Sequence, residues 1–199
     1  MTKIIGLTGG IGSGKTTISK IFEELGVPVY NSDLEAKKIM EVPEIIVLLK
    51  NSFGEEFFEN NILNRAKLAD LVFKNTEKLN VLNAIVHPFV KKDFLFWVKK
   101  NENEKFVIKE SAILFESKSN LDCDKIITIT SPLDLRMKRI AARDNLGFHE
   151  IVKRINNQIS DEKKIENSDF IIENTDLEMT KTQVLKIYNT LNISIINKK

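Results

Sequence analysis

The segment Gly9-Gly10-Ile11-Gly12-Ser13-Gly14-Lys15-Thr16 fits the pattern G-x-x-x-x-G-K-[ST] in full. Glycines let the backbone fold into a concave nest whose N–H groups point inward, and a following helix adds its positive end. Such a loop is suited to a polyphosphate. Lys15 can then reach the β- and γ-phosphates of a nucleoside triphosphate as a mobile point charge, and the Thr16 hydroxyl can ligate Mg²⁺. A glycine-rich turn closing a strand would account for one or two of these glycines. It would not account for a lysine and a hydroxyl at the fixed positions before an amphipathic helix.

Phosphate binding alone leaves kinase, switch, motor and transporter ATPase open. Asp33 follows an apolar run at 27–30, so its carboxylate is expected at a strand's C-terminal end, where ligands of open α/β sheets bind. There it could accept the proton of an attacking hydroxyl or hold Mg²⁺, although an Asp at that position also caps a helix. Arg136, Arg139 and Arg143 are spaced by three and four, so one helical face can present several guanidiniums to a nucleotide, or simply be a solvated basic face. A GTPase would need a base-reading N-K-x-D, which the sequence lacks, and its D-x-x-G, Asp144-Asn145-Leu146-Gly147, lies in the arginine-bearing segment rather than after a strand. The run Phe106-Val107-Ile108 is followed by Lys109-Glu110, an imperfect match to the usual apolar run ending in Asp.

The elements that must position these residues follow from periodicity. Runs at 3–7, 27–30, 106–109 and 125–130 read as buried parallel strands, with 170–172 a fifth. Ile18, Ile21, Phe22 and Leu25, and again Val184, Ile187, Tyr188 and Leu191, recur at i, i+3, i+4, i+7, each marking a helix with one buried face. Alternating strand and helix predict a doubly wound parallel sheet. The connection from about 32 to 105 is far longer than a crossover helix needs, so it must carry a subdomain. Helical patterns at 33–40, 43–52, 65–75, 76–86 and 88–100 suggest that it is mostly helical, with His87-Pro88 at a helix boundary. A second insertion is expected over 136–165.

The 199 residues, 42% hydrophobic and 29% charged with a formal net charge of +2, suit one soluble α/β domain and give no support for nucleic-acid binding. The start lacks a signal-peptide core and no apolar run of about 18 residues could span a bilayer, so no membrane association is expected. The single Cys123 fits a reducing cytoplasm and reads as a packing residue.

Taken together, these motifs resemble the dephospho-coenzyme A kinase family, from Thr8 to Asn174. Thr8-Gly9-Gly10-Ile11-Gly12-Ser13-Gly14-Lys15 looks like that family's leader, more specific than a generic P-loop. Val29-Tyr30-Asn31-Ser32-Asp33 is similar to its I-D-A-D segment, with Asn31-Ser32 departing from Asp-Ala. Asn64-Arg65-Ala66-Lys67-Leu68 and Leu82-Asn83-Ala84-Ile85-Val86-His87-Pro88 look like its substrate-covering helices. Leu114-Phe115-Glu116 resembles the end of P-L-L-F-E, although Glu110-Ser111-Ala112-Ile113 departs from the usual approach to it. Arg139, Arg143, Arg154 and Gln158 fit the lid pattern, and Ser168-Asp169-Phe170-Ile171-Ile172-Glu173-Asn174 fits the A-D-x-V-I-x-N strand.

The resemblance implies a single α/β domain over 1–199 with a three-layer, nucleoside-monophosphate-kinase-like P-loop fold and a five-stranded parallel sheet. Its core would take 1–32, 105–135 and 166–192, a helical substrate-binding insertion about 33–104, and a lid about 136–165. It implies transfer of the ATP γ-phosphoryl to the ribose 3′-hydroxyl of dephospho-CoA in the cytoplasm, with Mg²⁺, by a monomer or an oligomer. Asp33, Lys15, Arg139 and Arg143 would be catalytic. Gly10, Ile11, Gly12, Ser13, Gly14, Lys15, Thr16, Thr17, Arg139, Arg143 and Asn174 would bind ATP. Asp33, Arg65, His87 and Glu116 would bind the acceptor, and Thr16 the metal. Another nucleoside or nucleotide kinase, or a non-catalytic nucleotide sensor, remains open at this point.

Overall fold

The computed structural model describes residues 2–144 and 147–196. In chain order its elements are β1 (Lys3–Gly9), α1 (Lys15–Glu24), β2 (Val29–Asn31), α2 (Ser32–Ile39), α3 (Pro43–Phe53), β3 (Phe58–Glu59), β4 (Ile62–Leu63), α4 (Arg65–Val72), α5 (Thr76–Lys100), β5 (Phe106–Glu110), β6 (Lys125–Thr130), α6 (Leu133–Asp144), α7 (Phe148–Asn156), α8 (Asp161–Glu166), β7 (Phe170–Glu173) and α9 (Leu177–Ile196). They form two compact units, one from Ser32–Lys100 and one from the chain before and after it.

The larger unit is built on a parallel sheet of order β2-β5-β1-β6-β7. The central strands are continuous apolar runs because each is covered on both faces. On one face Ile5, Leu7, Ile108, Ile127, Ile129 and Ile172 pack with Ile18 and Phe22 of α1 and Val184 and Leu191 of α9. These helical residues recur at the expected spacing, which sets the buried stripe of each helix. On the other pleat face Gly6 lets Leu114 and Cys123 approach so closely that an added Cβ would meet Leu114 Cδ2 at 2.8 Å and Cys123 Sγ at 3.0 Å. Cys123 is therefore a packing residue, and burial pushes its thiol up to about 11.

The smaller unit has its own core. Ile45, Leu49 and Phe53 of α3, Leu68 and Val72 of α4, and Phe57 and Leu63 are buried together, with Leu79, Leu82, Ile85 and Phe89 of α5 packed against them. Pro43 opens α3 at a position where its missing N–H costs nothing, and the Asn64 side chain caps α4 by accepting from Lys67 N at 3.1 Å. The hairpin β3-β4 is an element that helical periodicity does not reveal. Its turn residues Asn60 and Asn61 have φ of 51° and 65°, the double left-handed geometry that Asn tolerates and that matches the strand twist.

One sequence expectation is corrected here. The segments 76–86 and 88–100 are one helix with Pro88 inside it, so His87 sits in a helix interior and not at a boundary. A proline removes one helical hydrogen bond and crowds a carbonyl, at a cost of about 3 kcal/mol. Burial on both sides of it offsets that cost: Val86 and Phe94 are inaccessible, and Leu79, Leu82, Ile85 and Phe89 join the core, each such side chain being worth about 1.5–3 kcal/mol when fully buried. The described part of 136–165, expected to be a second insertion, falls mainly in three helices, α6 to α8. Among the described residues no helix is long and apolar enough to cross a membrane.

Because the Pro88 ring is exposed, Pro88→Ala is expected to raise the unfolding free energy by about 1–2 kcal/mol. That is the helix-interior gain less the entropy that proline removes from the unfolded chain. Urea denaturation measures it, and a decrease would mean that the helix depends on the ring.

Candidate active site

β1 ends at Gly9 and α1 begins at Lys15, so the loop 10–14 lies at the C-terminal edge of the central strand. Gly12 and Gly14 have φ of 80° and 95°, which only glycine adopts without strain. They are also crowded: a Cβ on Gly12 would stand 2.7 Å from the Arg136 carbonyl, and one on Gly14 would fall on the Asn174 amide. Gly14 precedes α1 with no side-chain cap, and the first turn carries no acidic residue. The helix therefore opens with a positive end aimed from the loop, suited to an anion. Lys15 Nζ donates to Gly9 O at 3.0 Å, which lays its ammonium back along the loop, while Thr16 and Thr17 are exposed at the head of the helix.

The loop is tied from behind. Asn174, 5% exposed at the end of β7, donates through Nδ2 to Ser13 O at 2.7 Å, and its Oδ1 accepts from Thr180 Oγ1 at 3.2 Å. Arg136 Nε donates to Ile11 O at 2.9 Å, and Ile11 N donates to Gln158 Oε1 at 2.7 Å. Arg139 reaches Gly12 O at 3.5 Å, Ser131 Oγ at 3.2 Å and Asn174 O at 3.1 Å.

The three arginines of α6 are therefore not one array facing a single ligand. Arg136 is buried and paired with Asp161 at 2.5 Å, and Arg139 is half-buried against the loop. Arg143 is exposed and bound through Nε and Nη2 to both oxygens of Asp144, at 2.7 and 2.9 Å. That bond holds the Arg143 guanidinium above its usual range and the Asp144 carboxyl below the usual carboxylate range, and Arg154 adds a contact to Asp144 at 3.1 Å.

Glu116 accepts from Ile159 N at 3.0 Å, which fastens it to the chain between α7 and α8. Beside it Lys164 is wholly buried, and its Nζ has no hydrogen-bond partner among the described residues. Burial lowers its pKa, with Glu116 and Asp161 opposing that shift and Arg136 adding to it.

Asp33, Arg65 and His87 belong to the smaller unit. Asp33 is half-buried in the first turn of α2, three residues beyond Tyr30 of β2, where a carboxylate is favoured by the helix end. Arg65 is exposed and pairs with Glu41 at 3.4 Å, and His87 is half-buried on α5.

Glu110 is a residue the sequence reading left without a role. It ends β5, lies opposite Leu7 in register and is 3% exposed. Its carboxylate accepts from Ser19 Oγ of α1 at 2.7 Å and Asn31 Nδ2 of β2 at 3.1 Å. The signal in the sequence is a charged pair, Lys109-Glu110, closing an apolar run. No group of three or more His, Cys, Asp or Glu that could cage a metal occurs among the described residues. A lone exposed hydroxyl such as that of Thr16 still fits Mg²⁺, which keeps several waters, arrives on phosphates and takes few protein ligands.

A phosphate loop with arginines beside it is equipment for phosphoryl transfer. A family model described as dephospho-CoA kinase matches residues 3–179. The dephospho-CoA kinase of Bacteroides fragilis strain YCH46 is 40% identical over 184 residues, covering 92% of this chain and 90% of the relative. That of Fusobacterium nucleatum is 40% identical over 172 residues, covering 86% and 89%. Among solved structures, dephospho-CoA kinase from Campylobacter jejuni has a TM-score of 0.68 at 28% identity, covering 95% of this chain and 96% of that one. TT1252 from Thermus thermophilus has a TM-score of 0.87 at 32% identity, covering 95% and 97%. Shikimate kinase from Acinetobacter baumannii, at 16% identity and a TM-score of 0.56 with 98% and 95% covered, shares the fold alone. The chain belongs to the dephospho-CoA kinase family.

Proposed function

We propose that this chain transfers the γ-phosphoryl group of ATP to the ribose 3′-hydroxyl of dephospho-CoA, giving CoA and ADP. The observation that carries the reading is a complete phosphate loop, braced at Ile11, Gly12 and Ser13, in a chain of this family. The amides of Gly10, Gly12 and Gly14, with those of Lys15 and Thr16 at the helix head, hold the triphosphate, and Lys15 spans its β- and γ-oxygens. Ile11 and Ser13 shape the loop, because their own N–H groups donate to Gln158 and to the Gly10 carbonyl, and Thr17 closes the first helical turn. Mg²⁺, held by the Thr16 hydroxyl and the phosphates, supplies neutralising charge. Arg139 and Arg143 add positive charge from the 136–165 lid, and Asn174 supports the nucleotide side through Ser13. Asp33 accepts the 3′-hydroxyl proton as the new P–O3′ bond forms and the bond to the ADP oxygen breaks. Arg65, His87 and Glu116 complete acceptor recognition, with the 33–104 insertion covering that substrate. The reaction requires neither nucleic acid nor a membrane, a single chain carries every group it uses, and ATP is at hand in the cytoplasm.

The test is acceptor-dependent ADP release with dephospho-CoA, AMP, other nucleosides and no acceptor. Release with dephospho-CoA alone is expected, and equal release with AMP or without acceptor would overturn the assignment. Asp33→Asn should lower kcat by about 10²-fold or more, since it removes base and alignment together, while KM for ATP stays within about twofold. Near-normal turnover would remove Asp33 from the role of base. Lys15→Ala should weaken ADP binding and cut kcat/KM for ATP by about 10²-fold, because its charge acts in both ground and transition states. Isothermal calorimetry and steady-state kinetics read the two effects separately.

A further inference from the structure

The loop between β1 and α1 is glycine at positions 10, 12 and 14, and so much glycine leaves a free chain many conformations to lose. Ile11 and Ser13 are the exceptions, and both backbone polar groups of Ile11 are held by side chains from the segment after β6. Its carbonyl accepts from Arg136 Nε at 2.9 Å and its N–H donates to Gln158 Oε1 at 2.7 Å. Neither holder is loose. Arg136 is 4% exposed, is paired with Asp161 and covers Gly10 so closely that a Cβ there would overlap its guanidinium. Gln158 is anchored at its far end, where Nε2 donates to Ala112 O at 3.0 Å beyond β5.

These ties act on the orientation of the loop amides. In a trans peptide the C=O and the next residue's N–H point in opposite directions. Fixing the Ile11 carbonyl on Arg136 therefore turns the Gly12 N–H to the other side, and fixing the Ser13 carbonyl on Asn174 does the same for the Gly14 N–H. The Gln158 contact fixes the preceding peptide plane, so consecutive planes through Ile11 are set from outside the loop.

We propose that Gln158, acting with Arg136, is a positioning residue that pre-orients the amides of the phosphate loop. Gln158 does not touch the phosphates. It lowers the ordering that nucleotide binding would otherwise require, by holding Ile11 between the loop and Ala112. The inference rests on the nucleotide-binding half of the proposed function and is independent of the acceptor.

Gln158→Met keeps the length of the side chain and removes both hydrogen bonds. In the full chain it is expected to weaken ADP binding, measured by calorimetry, about tenfold, equivalent to about 1.4 kcal/mol. KM for ATP should rise by a similar factor while KM for dephospho-CoA stays within twofold. A merely structural role would lower the melting temperature and leave both nucleotide constants of the folded protein within twofold of the parent, and that result overturns the proposal. If Gln158→Met does not fold, Gln158→Asn, too short to reach Ile11 from the same backbone, is read by the same criteria. A parent chain that binds ADP but does not phosphorylate dephospho-CoA would sink the acceptor assignment and leave this test intact, since ADP reports on the loop alone.

Discussion

A phosphate-binding loop must satisfy two demands that a free peptide cannot meet together. Its N–H groups have to converge on one point, and the carbonyls of the same peptide planes, which then point away, need partners of their own. Here those partners are the Arg136 guanidinium for Ile11, Asn174 for Ser13 and Arg139 for Gly12. Each comes from an element remote in sequence: α6 supplies two and the end of β7 supplies the third. The concave face of the loop is thus a consequence of what packs behind it.

That requirement explains why the sheet has the order it has. β1 is central, flanked by β5 and β6, with β7 beyond β6. The chain leaving β6 enters α6, and the chain leaving β7 begins with Asn174, so the residues that hold the loop leave neighbouring strands at the same edge of the sheet. β5 delivers Glu110 to that edge on the other side, joined to α1 through Ser19 and to β2 through Asn31. A buried carboxylate is costly unless hydrogen-bonded, and these two donors tie the middle of α1 and the end of β2 to β5.

The loop, the five strands and most helices are legible in the sequence because each is a local pattern: fixed spacing for the loop, apolar runs for the strands, a 3.6-residue period for α1 and α9. What is not legible depends on tertiary context. Pro88 reads as a break because its local cost is visible while the burial of Val86, Phe89 and Phe94 that offsets it is not. The hairpin at Asn60-Asn61 hides in two-residue strands too short for alternation to register. The arginines at 136, 139 and 143 share a helical face by spacing, yet spacing cannot say that the first is consumed by Ile11 and Asp161. Gln158 fits a motif by position, but its two hydrogen bonds, to residues 147 and 46 positions away, have no local signature.

The graded burial along α6 also constrains how a lid could move in the proposed reaction. Arg136 is 4% exposed and tied to Ile11 and Asp161, so swinging the start of the helix away would strand a buried guanidinium and a loop carbonyl. Removing one partner of such a pair costs several kcal/mol. About two turns further on, Arg143 pairs at the surface with Asp144, which Arg154 of α7 also contacts, and exposed pairs of this kind are worth about 1 kcal/mol or less. A polyphosphate offers Arg143 a stronger acceptor than the Asp144 carboxylate at little cost in broken contacts. In the proposed reaction the contacts least costly to break are those of Arg143 and Arg154, whereas the first turn of α6 is bound to the loop it supports.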